Sequence, residues 1–371
     1  MIEHSPYAPS VVSPAFMRAV AALAVLWYHF SLQLNIIQDG GDWFFNLFNQ
    51  LGYGGVDFFF VISGYIMWVT TETLPNHQPV STFAYKRLTR IYLGYWPYFL
   101  LGLLIIAVYP HLTSDNTNLW GSFWLTEPHT NQLLIPVAWT LQFELYFYAW
   151  FTVLLLLPRH TMLAVIKTLF VGLLALHLYQ VLAGAHSLDL APWLSRFVAS
   201  PFCLEFLSGS LMGAFFQQYR LKWLSLAVAL GVGLLVLIVF IQQQVIQSSL
   251  IHGQYDFVRV LLFGTSAWLL LAAVVEAELR GRVLMQRLSL LLGGASYSIY
   301  LSHTLVIALV YAMGWQLWLS ENSDFPVLWL WLIITFTVIY SVLHYHWIER
   351  PLMQVAHRLR IKLFGQSPKT G

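Results

Sequence analysis

The stretch Pro14-Ala-Phe-Met-Arg18-Ala-Val-Ala-Ala-Leu-Ala-Val-Leu-Trp-Tyr-His29-Phe-Ser-Leu-Gln-Leu34 decides the fold. At about 1.5 Å of rise per residue, some twenty mostly apolar residues match the roughly 30 Å hydrocarbon core of a bilayer. Arg18 and His29 are its only basic side chains. Residues Met1 to Ser13 hold no basic n-region and no small-residue cleavage site. The stretch is therefore expected to be a retained membrane span and not a removable signal peptide.

Nine further stretches read the same way: Gly52–Thr70, Ile91–Tyr109, Leu133–Leu157, Met162–Leu182, Ser200–Gln217, Trp223–Val245, Phe257–Val275, Gly294–Leu317 and Val327–Trp347. The expected fold is all-α, a polytopic bundle of about ten transmembrane helices. It forms one domain over residues 1–371, with the bundle at 14–350 and a tail at 351–371. Composition agrees. Of 371 residues 58% are hydrophobic and 9% charged, whereas a water-soluble domain carries about a quarter charged residues. A soluble fold would expose apolar patches large enough to aggregate. The 26 Phe, 19 Tyr and 16 Trp suit a chain whose rings gather at lipid–water interfaces. Cys203 is the lone cysteine, which excludes an internal disulfide and a cysteine zinc site.

Short cytoplasmic loops retain Lys and Arg. Laid onto the ten spans, 16 of the 18 basic residues fall on one side, leaving Arg196 and Arg259 on the other. The basic side is expected to be the cytoplasm, with both termini there. The opposite loops carry Asp39, Asp42, Asp115, Glu127, Asp189, Glu321 and Asp324. None is long enough for a catalytic domain, so chemistry is expected within the bundle or at its mouths. The chain is expected to cross its membrane many times.

Ionisable groups inside spans are costly and mark sites or pathways. Arg18 and His29 lie eleven residues apart, close to three turns, and share a helix face about 16 Å apart. Taken singly, Arg18 is equally an orientation anchor and His29 a packing histidine. Asp57 and Gly64 share a face seven residues apart; small residues there let a neighbouring backbone approach, and Asp57 needs a partner. That reading, a packing seam with one buried ion pair, competes evenly with a catalytic role. Glu144 falls near the middle of its span, where a carboxylate must be neutral, paired or beside water. Ser296, Tyr300 and His303 form a polar stripe at i, i+4 and i+7, suited to helix–helix hydrogen bonds or to a site. Lys86, Arg87 and Arg90 flank the third span, either anchoring topology or gripping phosphate. His344 and His346 point to different faces, which disfavours a shared metal. No Gly-x-Ser-x-Gly elbow and no Walker loop occurs.

In this order the motifs resemble membrane acyltransferase family 3, which includes O-antigen and exopolysaccharide O-acetyltransferases. The resemblance runs from Arg18 to Pro351. It rests on Arg18 and His29; Gly55-Val-Asp-Phe-Phe-Phe-Val-Ile-Ser-Gly64; Arg87-Leu-Thr-Arg-Ile-Tyr92 followed by Trp96; Trp139-Thr-Leu with Glu144; Ser296-Tyr-Ser-Ile-Tyr-Leu-Ser-His303; and Glu349-Arg-Pro351. The chain departs from the family at Leu93, where Pro is frequent, at Leu145, where a second acid is frequent, and at Ser302, where Trp is usual.

The resemblance implies acyl transfer, usually acetyl, from acyl-CoA to a glycan hydroxyl or its lipid-linked precursor, with no metal. Acetyl-CoA is then the donor substrate, gripped by Arg18, Arg87, Arg90 and Tyr92. His29 acts as base or covalent carrier, and Glu144 or Asp57 steadies it. Ser63, Tyr297, Tyr300 and His303 stand around the substrate. Acylation of a small, macrolide-like molecule and a succinyl donor remain open, as does a proton-coupled transporter or flippase. A non-catalytic scaffold explains the buried polar residues poorly. The expected partners are acyl-CoA, a glycan acceptor and the bilayer, with no nucleic acid. A homo-oligomer is left open.

Overall fold

The computed structural model describes residues 12–37, 42–72, 80–183, 194–246, 250, 256–322 and 325–364. Asp39, Asp189, Asp324 and Lys369 lie outside them. The described elements are all helical, without a strand: α1 Val12–Ile37, α2 Trp43–Leu51, α3 Gly55–Glu72, α4 Val80–Val108, α5 Leu119–Trp124, α6 Trp139–Leu154, α7 Arg159–Ala183, α8 Phe202–Gln218, α9 Leu224–Phe240, α10 Asp256–Arg259, α11 Thr265–Leu279, α12 Gln286–Ala312, α13 Trp315–Asn322, α14 Pro326–His344 and α15 Arg350–Phe364, with short 3-10 and π turns between them. Nine helical stretches among the described residues are long and apolar enough to cross a membrane. They correspond to nine of the ten expected spans.

The chain divides into two compact units: residues 1–21, 53–74 and 153–293, and residues 22–52, 75–152 and 294–371. In the first unit, small residues set the closest packing. A Cβ at Gly64 would stand 1.9 Å from the Phe206 carbonyl oxygen, and one at Gly209 would stand 2.0 Å from that of Val61. Helices α3 and α8 therefore touch backbone to backbone, and Ser210 Oγ donates to Gly64 O at 3.2 Å. In lipid no hydrophobic force drives helices together, so such close van der Waals contact supplies the attraction. Around this seam Val61, Ile62, Met212, Ala267 and Leu271 form a buried core.

In the second unit, the stretch expected as a full span at Leu133–Leu157 takes another form. Only α6 is helical, and sixteen residues rise about 24 Å, short of a bilayer core. The preceding 109–138 segment folds back along α4. Tyr95 Oη donates to Ser122 O (2.9 Å), Trp96 Nε1 to Phe123 O (3.2 Å) and Tyr92 Oη to Trp124 O (3.0 Å). These contacts lie twelve to sixteen residues before the end of α4, roughly 18–24 Å back along its axis.

Irregular backbone is tolerated beside hydrocarbon only where the protein satisfies its polar groups. Here Asn118 Oδ1 accepts from Gly121 N, Ser122 Oγ accepts from Leu134 N, and Gln142 Nε2 donates to Glu127 O. Glu127 was expected as a loop acid. Its carboxylate is buried instead, 5% exposed, accepting from Asn118 Nδ2, His129 N and His129 Nδ1. The hydropathy of Leu133–Leu157 signals burial correctly; Pro136 and these side-chain bonds determine that its first part is not helix.

Candidate functional site

Arg18 and His29 lie on one continuous helix, α1. Arg18 is half-buried. His29 belongs to the second unit, where α12 brings His303 to it: His303 Nε2 stands 3.2 Å from His29 Nδ1, with ring centroids 4.7 Å apart. Each histidine also meets a carbonyl of its own helix. His29 Nδ1 is 2.9 Å from Val25 O, and His303 Nδ1 is 3.2 Å from Ile299 O.

Carbonyl oxygens only accept, so both Nδ1 atoms are assigned the hydrogen. His303 Nε2 is then a lone pair facing His29 Nδ1–H, which it shares with Val25 O. Nε2 of His29 has no bond to the described residues, and in the neutral ring it carries the lone pair. His303 is fully buried while His29 is only partly so. A half-exposed base thus rests on a buried acceptor. Beside His29 Nδ1 stand a histidine and a backbone carbonyl.

Tyr300, one turn before His303 on α12, ties the helix to the start of α6. Its hydroxyl donates to Val137 O at 3.0 Å and lies 3.0 Å from Thr140 Oγ1. The Tyr300 and His303 rings stand 5.9 Å apart. The folded-back segment is therefore pinned within one turn of the histidine pair, by a threonine that sequence reasoning did not single out.

A second polar group gathers on α4, α6, α12 and the turn before α15. Arg90 Nη1 donates to Glu349 Oε1, and Ser298 Oγ donates to Glu349 Oε2 at 2.8 Å. Glu349 is fully buried, whereas the Arg90 side chain is 27% exposed. The Arg90 guanidinium lies over the Tyr297 ring, and Tyr297 Oη donates to Ile91 O at 2.9 Å. Arg87 lies over Phe83 and Tyr148, and Tyr148 Oη donates to half-buried Glu144 one turn earlier on α6. Glu144 thus has a local i, i+4 partner that the sequence spacing could have revealed. Tyr92 stacks among Trp96 and Trp124.

Asp57 and Ser63 sit on α3 in the first unit. Both Asp57 oxygens are held by Arg259: Nε at 3.2 and 3.1 Å, Nη2 at 2.7 Å. Asp57 is fully buried and Arg259 4% exposed. Arg259 also donates to Tyr53 O at 3.4 Å. The partner that Asp57 required is one of the two basic residues excluded from the basic side by charge counting. Ser63 is half-buried. No group of three or more His, Cys, Asp or Glu side chains suited to a metal occurs among the described residues.

Residues 12–346 match the family described as an acyltransferase domain, acyltransferase family 3. The chain is 31% identical over 324 residues to the exopolysaccharide production protein ExoZ of Rhizobium meliloti (strain 1021), covering 84% of this chain and 92% of that protein. No solved structure matches. The match takes in both histidines, the Arg90 group on α4 and α12, and the Asp57 pair. With the helices that carry them long and apolar enough to cross a bilayer, this multi-pass membrane chain belongs to acyltransferase family 3.

Proposed function

We propose that this acyltransferase moves an acetyl group from cytoplasmic acetyl-CoA to a hydroxyl of an exported polysaccharide or its lipid-linked precursor, in a bacterial inner membrane. The carrying observation is Nε2 of His29, without a bond among the described residues and backed by His303. In this reading Nε2 takes the acceptor hydroxyl's proton as its oxygen bonds to the thioester carbonyl carbon. When the carbon–sulfur bond breaks, the same proton passes to the departing sulfur, giving ester and free thiol.

The imidazolium formed in between keeps its Nδ1–H on Val25 O and His303 Nε2. His303 is thus a positioning residue that fixes the tautomer without itself touching the reactants. Tyr300 holds the folded-back segment beside it, and Tyr297 braces Arg90. The basic distribution supports a cytoplasmic donor mouth and cytoplasmic termini. There Arg87, Arg90 and Tyr92 receive the nucleotide end of CoA. The Glu349 bond occupies one of the five guanidinium hydrogens of Arg90 and aims the group. Glu144 anchors Tyr148 under Arg87. Asp57 secures α3, the helix that also carries Ser63, through Arg259. The name of the Rhizobium relative supports an exopolysaccharide acceptor.

Cells lacking the native gene are complemented with wild type, His29→Ala or Arg18→Ala at matched membrane levels, and ester-linked acetate on surface polysaccharide is measured. Wild type restores the ester, and His29→Ala falls by about a thousandfold. A His29→Ala variant that acetylates like wild type overturns the assignment of the base. A wild type that restores no ester on any surface glycan moves small-molecule acylation or transport ahead.

A further inference from the structure

A cavity of about 380 Å³ lies within the first unit, among α7, α8 and the α10–α11 stretch. Phe170, Leu174, Leu204, Val260, Leu261 and Trp268 make its wall apolar. Leu261 at its rim is exposed, so the opening faces the surroundings of a membrane helix. At the floor stands Glu205, 2% exposed, and neither carboxyl oxygen has a hydrogen-bond donor among the described residues. Gly264 makes room for it: a Cβ there would meet Glu205 Oε1 at 2.9 Å.

Donors nearby are committed elsewhere. Ser208 Oγ donates to Glu205 O at 2.7 Å and Trp268 Nε1 to Ser208 O at 3.3 Å. Arg259 is turned onto both Asp57 oxygens. The Asp57 carboxyl lies beside Glu205. A proton shared with Asp57 engages one Glu205 oxygen, so the other remains an acceptor that the described residues do not satisfy. A buried acceptor left unmade is costly, and this one looks into an apolar chamber.

We propose that the cavity binds a neutral aliphatic lipid whose hydroxyl donates to Glu205. An anionic head group would meet two carboxyls with only one guanidinium, already engaged by Asp57. A cationic head would have to enter through an apolar rim. A hydroxyl on a hydrocarbon chain satisfies the carboxyl oxygen and fills the wall.

The test uses the full chain in phosphatidylcholine nanodiscs and hexadecanol carrying a mid-chain diazirine. Photolabel is expected on peptides from α8 and α11, with hexadecanol competing about fivefold better than hexadecane, the equivalent of one hydrogen bond. Hexadecyl phosphate competes no better than hexadecane. Glu205→Leu abolishes the preference for the alcohol, Glu205→Gln keeps it through its amide oxygen, and Leu261→Trp at the rim lowers labelling. Equal competition by hexadecane and hexadecanol in wild type overturns the proposal and makes the cavity a groove for ordinary lipid tails. Stronger competition by the phosphate overturns it in favour of an anion site. Because the wild-type comparison decides, the test stands even if Glu205→Leu fails to fold.

Discussion

The two units solve the same problem, burying polar side chains in a hydrocarbon-like interior, by opposite means. In the first, Asp57 and Arg259 cancel charge with a bidentate pair that is almost wholly inaccessible. In the second, His29 and His303 share hydrogen bonds with each other and with helix carbonyls. The charged pair binds both carboxylate oxygens and suits holding helices. The histidine pair ends at His29 Nε2, which has no bond among the described residues and suits accepting a proton. Burial alone therefore does not mark a reactive group; the atom left over after every partner is counted does.

The contrast is broken most severely at Arg259. Arg259→Leu strands the Asp57 carboxylate and is expected to cost roughly 3–5 kcal/mol, read as a large fall in the melting temperature of the purified protein. Asp57→Leu with Arg259→Leu together should recover most of that loss, because no lone charge remains. A double variant as unstable as the single would assign the pair more than charge cancellation.

At the histidine pair the order of effects reverses. His303→Ala is expected to lower kcat roughly tenfold to thirtyfold, the value of one bond to a developing imidazolium, with KM little changed. His303→Gln, which keeps an acceptor near His29 Nδ1, should restore part of the rate. The pH–rate profile should shift in the alanine variant and less in the glutamine variant. Equal rates for alanine and wild type would remove His303 from the reaction.

Ser298→Ala gives the smallest effect. It takes one bond from buried Glu349 while Arg90 stays in place, for an expected loss of about 1–2 kcal/mol of stability. If Arg90 is the donor grip, the same variant raises KM for acetyl-CoA more than it lowers kcat. A change in kcat alone would detach the Arg90–Glu349 pair from donor binding.

The amino-acid sequence by itself determined that the chain is helical and crosses a membrane. The reason is local: hydrocarbon demands about twenty apolar residues per crossing and internal satisfaction of every backbone group. It also exposed Arg18, His29, Asp57, Glu144 and His303 as polar groups where lipid tolerates few. A lone polar residue announces that it needs a partner without naming it. The tertiary structure made the pairings, across 202 residues for Asp57 with Arg259, 259 for Arg90 with Glu349, and 274 for His303 with His29. It also replaced one expected full span by the short α6 and a segment folded back on α4, because Asn118, Ser122 and Gln142 supply that backbone with hydrogen bonds a helix would otherwise provide. Periodicity and hydropathy report what a residue's surroundings must be; only packing decides which distant side chain provides them.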